Sequence, residues 1–156
     1  MGTKRYFVSA CLLGQKVRYD TQDCLIQELL DRISPNLYIS LCPEVAGGLP
    51  TSRPPAEIQF GSGQDVLNGK IPVLDISGGN VSLAFMDGAY QVLKVTQDFQ
   101  ATHAILKSKS PSCGSGWIYD GSFSVHKVHG DGVTEALFKQ HGIVVMTEDE
   151  FLKTLF

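Results

Sequence analysis

The stretch YFVSACLLG, Tyr6 to Gly14, is an apolar run of strand length, aromatic and β-branched at its start and closed by a glycine. A strand with one face in water alternates polar and apolar residues, so a run of this kind reads as a strand buried on both faces. Downstream of it, Leu25, Ile26, Leu29, Leu30 and Ile33 recur at helical spacing until Ser34-Pro35-Asn36, where proline cannot donate into a helix. Leu37 to Leu41 is then a second short apolar strand. Strand, helix and strand in this order make a parallel pair.

The pattern repeats towards the C-terminus. Asn80 stands where it can cap a helix whose apolar face includes Val81, Ala84, Phe85, Gly88, Val92 and Phe99. His103 to Leu106 follows as a third buried strand. Asp131 stands as the cap of a helix through Val133, Ala136 and Leu137 that Gly142 ends, and Ile143 to Met146 is a fourth strand. Thr147 and Glu150 form a capping box for a last helix with Phe151, Leu152 and Leu155. The expectation is a three-layer α/β fold with a mainly parallel, Rossmann-like sheet, as one domain over residues 1–156. Residues 43–70, rich in glycine and proline and without a sustained period, read as one long loop of the kind that is usually functional. Ile71 to Ile76 reads as a short strand or hairpin arm.

Composition excludes several classes of partner. The 13 basic residues are scattered among 16 acidic ones, which argues against duplex nucleic acid. Val8-Ser9-Ala10-Cys11 looks like the small-residue site before a lipidated cysteine, but the apolar stretch before it is shorter than the roughly 7 to 15 residues of a signal h-region. No run approaches the ~18 apolar residues of a membrane span. Four cysteines in a chain with a core of this size are expected as reduced thiols, in a cytoplasm.

In an open parallel sheet, ligands bind outside the carboxyl ends of the strands. Cys11 falls late in the first strand, Cys42 directly after the second and Cys113 in the loop after the third, so the fold brings these three to one edge. Cys24 lies on the first helix ahead of its apolar stripe and reads as a packing residue. Three converging thiolates suit a soft centre: zinc, copper(I) or an iron-sulfur cluster. A closed structural zinc site takes four ligands, often from CxxC pairs, and the chain has no CxxC; an open centre fits better. His103, His126, His129 and His141 show no ligand spacing relative to the cysteines.

Polar groups surround these positions. Glu44 lies two residues beyond Cys42, on its side of an extended stretch. Ser108, Ser110 and Ser112 are hydroxyl donors around Cys113, Arg53 and Lys107 are candidates to hold an anion or a carbonyl oxygen, and Gly130-Asp131-Gly132 offers backbone N–H groups at a helix start.

Taken together, VSACLLG with RYD, CPEVAGGLPTSRPPAEI, KSKSPSCG, YDG and GDGVTEAL, in that order over nearly the whole chain, resemble the bacterial domain-of-unknown-function family (DUF 523) that includes the thiouracil desulfurases. The resemblance implies a [4Fe-4S] cluster on Cys11, Cys42 and Cys113 with one iron left open, Glu44 as the catalytic acid or base, and Ser110, rather than Ser108, as the catalytic serine. The implied activity is non-redox removal of sulfur from a thiolated nucleobase or similar small thiocarbonyl compound, with release of sulfide. Val17 stands where some members carry another cysteine, and Thr21 replaces the glycine usual after RYD; neither touches the three-cysteine set. Two other classes fit the thiols themselves: a sulfur carrier or redox sensor without a cluster, and a zinc-supported binding module.

Overall fold

The computed structural model describes residues 4–16, 18–20, 25–114 and 116–154; Val17, Thr21, Cys24 and Leu155 lie outside them. In chain order the elements are β1 (Tyr6–Ser9), α1 (Gln27–Arg32), β2 (Tyr38–Leu41), α2 (Pro43–Ala46), β3 (Ala56–Ile58), α3 (Gly63–Leu67) and β4 (Val73–Asp75). They continue with α4 (Ser82–Asp98), β5 (His103–Leu106), β6 (Trp117–Tyr119), β7 (Lys127–His129), α5 (Val133–Gln140), β8 (Val144–Thr147) and α6 (Glu148–Leu152).

Four strands form a wholly parallel sheet in the order β2-β1-β5-β8. Side chains alternate along a strand, so Phe7 and Val8 of β1 enter opposite cores. Phe7, with Ala104 and Leu106 of β5, packs against Phe85 and Val92 of α4 and Leu137 and Phe138 of α5. Val8 and Ile105 pack on the other face against Leu29 of α1 and Phe151 of α6. Helices therefore cover both faces, which is the expected three-layer arrangement. From β1 the chain moves to β2 on one side and later returns to β5 on the other. The strand order reverses at β1, and the crevice of such a sheet opens at its carboxyl end.

Three local expectations are corrected. The first apolar run is not one strand: after Ser9 it curls into a 3₁₀ turn, Ala10–Leu13, which Gly14 ends at φ +92° with its N–H on the Cys11 carbonyl. Cys11 thus leaves the sheet. Burial continues through Leu12, so an apolar run cannot tell a buried strand from a buried turn. Residues 43–70 are not one loop but hold α2, β3 and α3, with β3 antiparallel to β4. Elements of three to five residues span about one helical turn or less and leave no period to detect, although the Ser62/Asp65 capping box of α3 is a local signal. Two helix caps shift by one residue: at α5 the cap is Gly132 rather than Asp131, and at α4 it is Val81, while the Asn80 side chain still accepts the Ser82 N–H at 3.0 Å. The Thr147/Glu150 capping box of α6 is present as expected. Among the described residues no helix is long and apolar enough to cross a membrane.

Candidate active site

Strands β2, β1 and β5 are neighbours, and each releases one cysteine at its carboxyl end: Cys42 as the cap of α2, Cys11 on the 3₁₀ turn and Cys113 on the loop that follows β5. All three line one cavity of about 500 Å³, together with Glu44. Burial pushes the Cys113 thiol strongly up; the Ser9 hydroxyl opposes this, and charge on Cys42 and, less, on Cys11 adds to it. Burial also raises Cys42, against the backbone N–H of Val45, with smaller opposing effects from Glu44 and Arg53. Among the described residues no three His, Cys, Asp or Glu side chains converge on a point that a single metal ion could occupy. Three thiols around one cavity are a soft donor set, of the kind that suits an iron-sulfur cluster.

The Cys113 loop is built by its own serines and by α5. Ser110 Oγ accepts the backbone N–H of Ser112 at 3.1 Å and of Cys113 at 3.2 Å, and the Ser110 carbonyl accepts Gly114 N–H at 2.7 Å. Across the loop, the N–H groups of Gly132, Val133 and Thr134 donate to the carbonyls of Gly114, Pro111 and Ser112 at 2.7, 2.9 and 2.7 Å. The approach is so close that a Cβ on Gly132 would lie 2.6 Å from the Ser112 carbonyl. This corrects the reading of Gly130-Asp131-Gly132 as an anion site. The N–H groups that begin α5 are consumed in holding the Cys113 loop.

Hydrogen bonding gives the loop serines distinct parts. Ser112 Oγ donates to Glu44 Oε2 at 3.3 Å and lies 3.1 Å from Ser110 Oγ. Because the Ser110 oxygen already takes two N–H groups and the Ser112 hydrogen is directed at the carboxylate, the Ser110 hydroxyl is the donor between the two serines. A directed chain results: Ser110 to Ser112 to Glu44. Ser108 takes no part in it. Its N–H and hydroxyl bond Glu148 at 2.9 and 3.2 Å, and Lys107 Nζ lies 3.5 Å from the same carboxylate and donates to the Ser108 carbonyl. Lys107 is thus an internal partner of Glu148, which tethers the exit of β5 to α6.

Glu44 sits in the first turn of α2, not on an extended stretch. Its Oε1 accepts Arg53 Nε at 3.1 Å, and the Arg53 side chain, only 5% exposed, also donates to the carbonyls of Pro50 and Thr51. Arg53 therefore fixes the carboxylate. Both Glu44 oxygens are held, one by Arg53 and one by Ser112, so the group enters the cavity in a single orientation.

The cavity lining also includes Ile76, Tyr119, Phe123 and Val125. The turn between β6 and β7 carries the last two, and Glu57, which lines the same cavity, pins it: Glu57 Oε1 accepts the N–H of Gly121 at 2.9 Å and of Phe123 at 3.2 Å. Phe123 and Val125 hold φ of +57° and +64°, a left-handed backbone that is costly for a β-branched residue. Sequence reasoning passed over this wall, Ser9 and the link through Ser112. The signal for the wall was YDGSFSV, residues 119–125, a turn that carries two apolar residues, Phe123 and Val125.

The profile of the 2-thiouracil desulfurase family matches residues 7–150. The chain is 43% identical over 143 residues to YbbK of Bacillus subtilis (strain 168), which covers 92% of this chain and 95% of that protein. A solved structure described as the [4Fe-4S]-dependent thiouracil desulfidase TudS superposes with a TM-score of 0.85 at 42% identity, covering 97% of this chain and 95% of the other. The chain belongs to the 2-thiouracil desulfurase family.

Proposed function

We propose that this chain is an iron-sulfur-dependent, non-redox desulfurase that removes sulfur, as sulfide, from a thiolated nucleobase or a similar small thiocarbonyl compound. One observation carries the reading: three thiols, delivered by three adjacent strands, line the same cavity as a carboxylate held in one orientation. Cys11, Cys42 and Cys113 would hold the cluster, and when bound it would supply a Lewis-acidic iron with an open position for sulfur. The thiols give up their protons as the cluster is loaded.

The remaining work falls to the chain's own polar groups. Glu44 Oε2 takes a proton from the water that attacks the thiocarbonyl carbon and returns it as the carbon–sulfur bond breaks. Overall, one water enters, oxygen replaces sulfur on carbon, and sulfide leaves; no electrons are exchanged. Arg53 keeps Glu44 aimed, while Ser110, through Ser112, gives the carboxylate a hydrogen-bonded route along the cavity wall. Ile76, Tyr119, Phe123 and Val125 supply the apolar surface against which a flat heterocycle can lie while water is restricted.

The alternatives ask for different thiols. A sulfur carrier or redox sensor needs an exposed cysteine of lowered pKa, whereas Cys11 and Cys113 are buried and burial raises Cys42 and Cys113. A closed zinc module takes four ligands, often from CxxC pairs, and the chain has no CxxC. The test is anaerobic reconstitution with iron and sulfide, followed by assay of sulfide release from 2-thiouracil. A brown, iron-loaded protein that releases sulfide supports the proposal. A colourless protein with rapidly titrating thiols favours the carrier, and a loaded but inactive one removes this substrate class.

A further inference from the structure

Ser9 is the last residue of β1 and is 3% exposed, in a segment where Phe7, Val8, Ala10 and Leu12 are buried apolar residues. A hydroxyl in such a place needs partners, since leaving it unsatisfied costs its full desolvation. Its oxygen accepts the backbone N–H of Lys107 at 3.1 Å, and its oxygen lies 3.4 Å from the sulfur of Cys113, 104 residues away. With the N–H occupying the acceptor side, the hydroxyl hydrogen is directed at the sulfur. The second hydroxyl near that sulfur, Ser112, is 3.7 Å away and turns its hydrogen to Glu44 at 3.3 Å, the stronger, charged acceptor.

We propose that Ser9 is a positioning residue for the metal centre, donating a hydrogen bond to the Cys113 sulfur that aims it and withdraws part of its negative charge. The inference rests on the reading of Cys113 as a ligand. Hydrogen bonds to ligand sulfurs are among the levers that set the electronic character of an iron-sulfur cluster. A thiolate that shares its charge with a hydroxyl donates less to iron, leaving the iron a better acceptor for substrate sulfur. The backbone directly after β5, through Lys107 N–H, orients this hydroxyl, so the bond is set by main chain at the edge of the sheet.

The experiment compares wild type, Ser9→Ala and Ser9→Thr after anaerobic reconstitution, by iron content, cluster reduction potential and the Fe–S stretching frequencies. Ser9→Ala is expected to load iron but to become harder to reduce, with a shift on the order of tenfold in the redox equilibrium, about 59 mV for one electron. Ser9→Thr, which keeps the hydroxyl, is expected to restore the wild-type potential. Equal potentials and frequencies in all three proteins overturn the inference and leave the cluster reading standing, as does a shift that Ser9→Thr fails to rescue. A wild type that takes up no iron overturns both. If Ser9→Ala does not fold, wild type and Ser9→Thr in heavy water decide the matter: a deuterium shift in the Fe–S(Cys) stretches is expected, and its absence overturns the inference.

Discussion

Gly88 of α4 and Gly47, at the end of α2, meet backbone to backbone. A Cβ on Gly88 would lie 1.8 Å from the Pro43 carbonyl oxygen, and one on Gly47 would lie 1.9 Å from that of Ala84. Cys42 and Glu44 flank Pro43, so this glycine contact sets the position of one thiol and of the carboxylate. Two effects oppose each other in Gly88→Ala. Helix propensity favours alanine by about 1 kcal/mol, whereas an overlap with main chain, which cannot swing aside, costs about 1 to 3 kcal/mol or more. The overlap wins, and Gly88→Ala is expected to lower the denaturant midpoint and the iron loading together. A variant more stable than wild type would show that α2 is not seated on α4 in this way.

Replacing any of Cys11, Cys42 or Cys113 by serine is expected to abolish cluster binding, because three thiolates hold the group as a unit. Cys24→Ser is expected to load normally. Iron and sulfide content after reconstitution distinguishes the four proteins, and normal loading in any of the first three removes that residue from the ligand set.

Glu44→Gln keeps the size and shape of the side chain and is expected to retain the cluster and bind a thiolated pyrimidine, yet lose turnover. A positioned acid or base contributes on the order of 10²- to 10⁴-fold, or ~3 to 5 kcal/mol of barrier. Arg53 retains its bonds to the Pro50 and Thr51 carbonyls, so the loop around it is expected to stay folded. Sulfide release at matched iron content is the measurement, and full activity would refute the role of Glu44.

The loop serines separate by partner. Ser112→Ala interrupts the chain from Ser110 to Glu44 and is expected to slow turnover at unchanged iron content. Ser108→Ala removes a hydroxyl bond to Glu148 and is expected to cost about 1 kcal/mol of stability with turnover retained. Paired unfolding and rate measurements would show the two variants failing in different assays; the reverse assignment would mean that Ser108 acts in the chemistry.

The Asp120 carboxylate is held below its usual range by the Ser122 hydroxyl and backbone N–H. A depressed folded pKa contributes stability that is present above the unfolded value, about 3.9 for aspartate, and lost as pH falls through the folded one. The turn carrying Phe123 and Val125 is therefore expected to loosen on acidification below about pH 4, and Asp120→Asn to weaken that dependence. Hydrogen exchange at Ser122 N–H across this range reports it; protection independent of pH would count against the expectation.

Much of the fold is written in local pattern. The strands of a buried parallel sheet are short apolar runs, and β2, β5 and β8 coincide with such runs to within a residue or two. The spacing of Phe85, Gly88 and Val92 marks α4, and Thr147 with Glu150 marks the start of α6. Cys42 and Cys113 were legible as site candidates because a thiol beside proline at a strand exit has no packing reason to be there. Period failed where elements were too short to have one, in α2, β3 and α3, and where burial outlasted the strand, at Cys11.

Only the tertiary structure decided which polar groups work together. Arg53 turned from a candidate anion ligand into the partner of Glu44, and Ser112 from one of three hydroxyl donors around Cys113 into the link between Ser110 and Glu44, 68 residues away. Ser9, read within an apolar strand, became the donor to Cys113. The physical reason is common to all three. Hydrophobic burial is set by a residue's own character and its neighbours in the chain, and so leaves a periodic trace in the sequence. A hydrogen bond between distant segments depends on the register and twist of the strands that carry its two ends, and it leaves none.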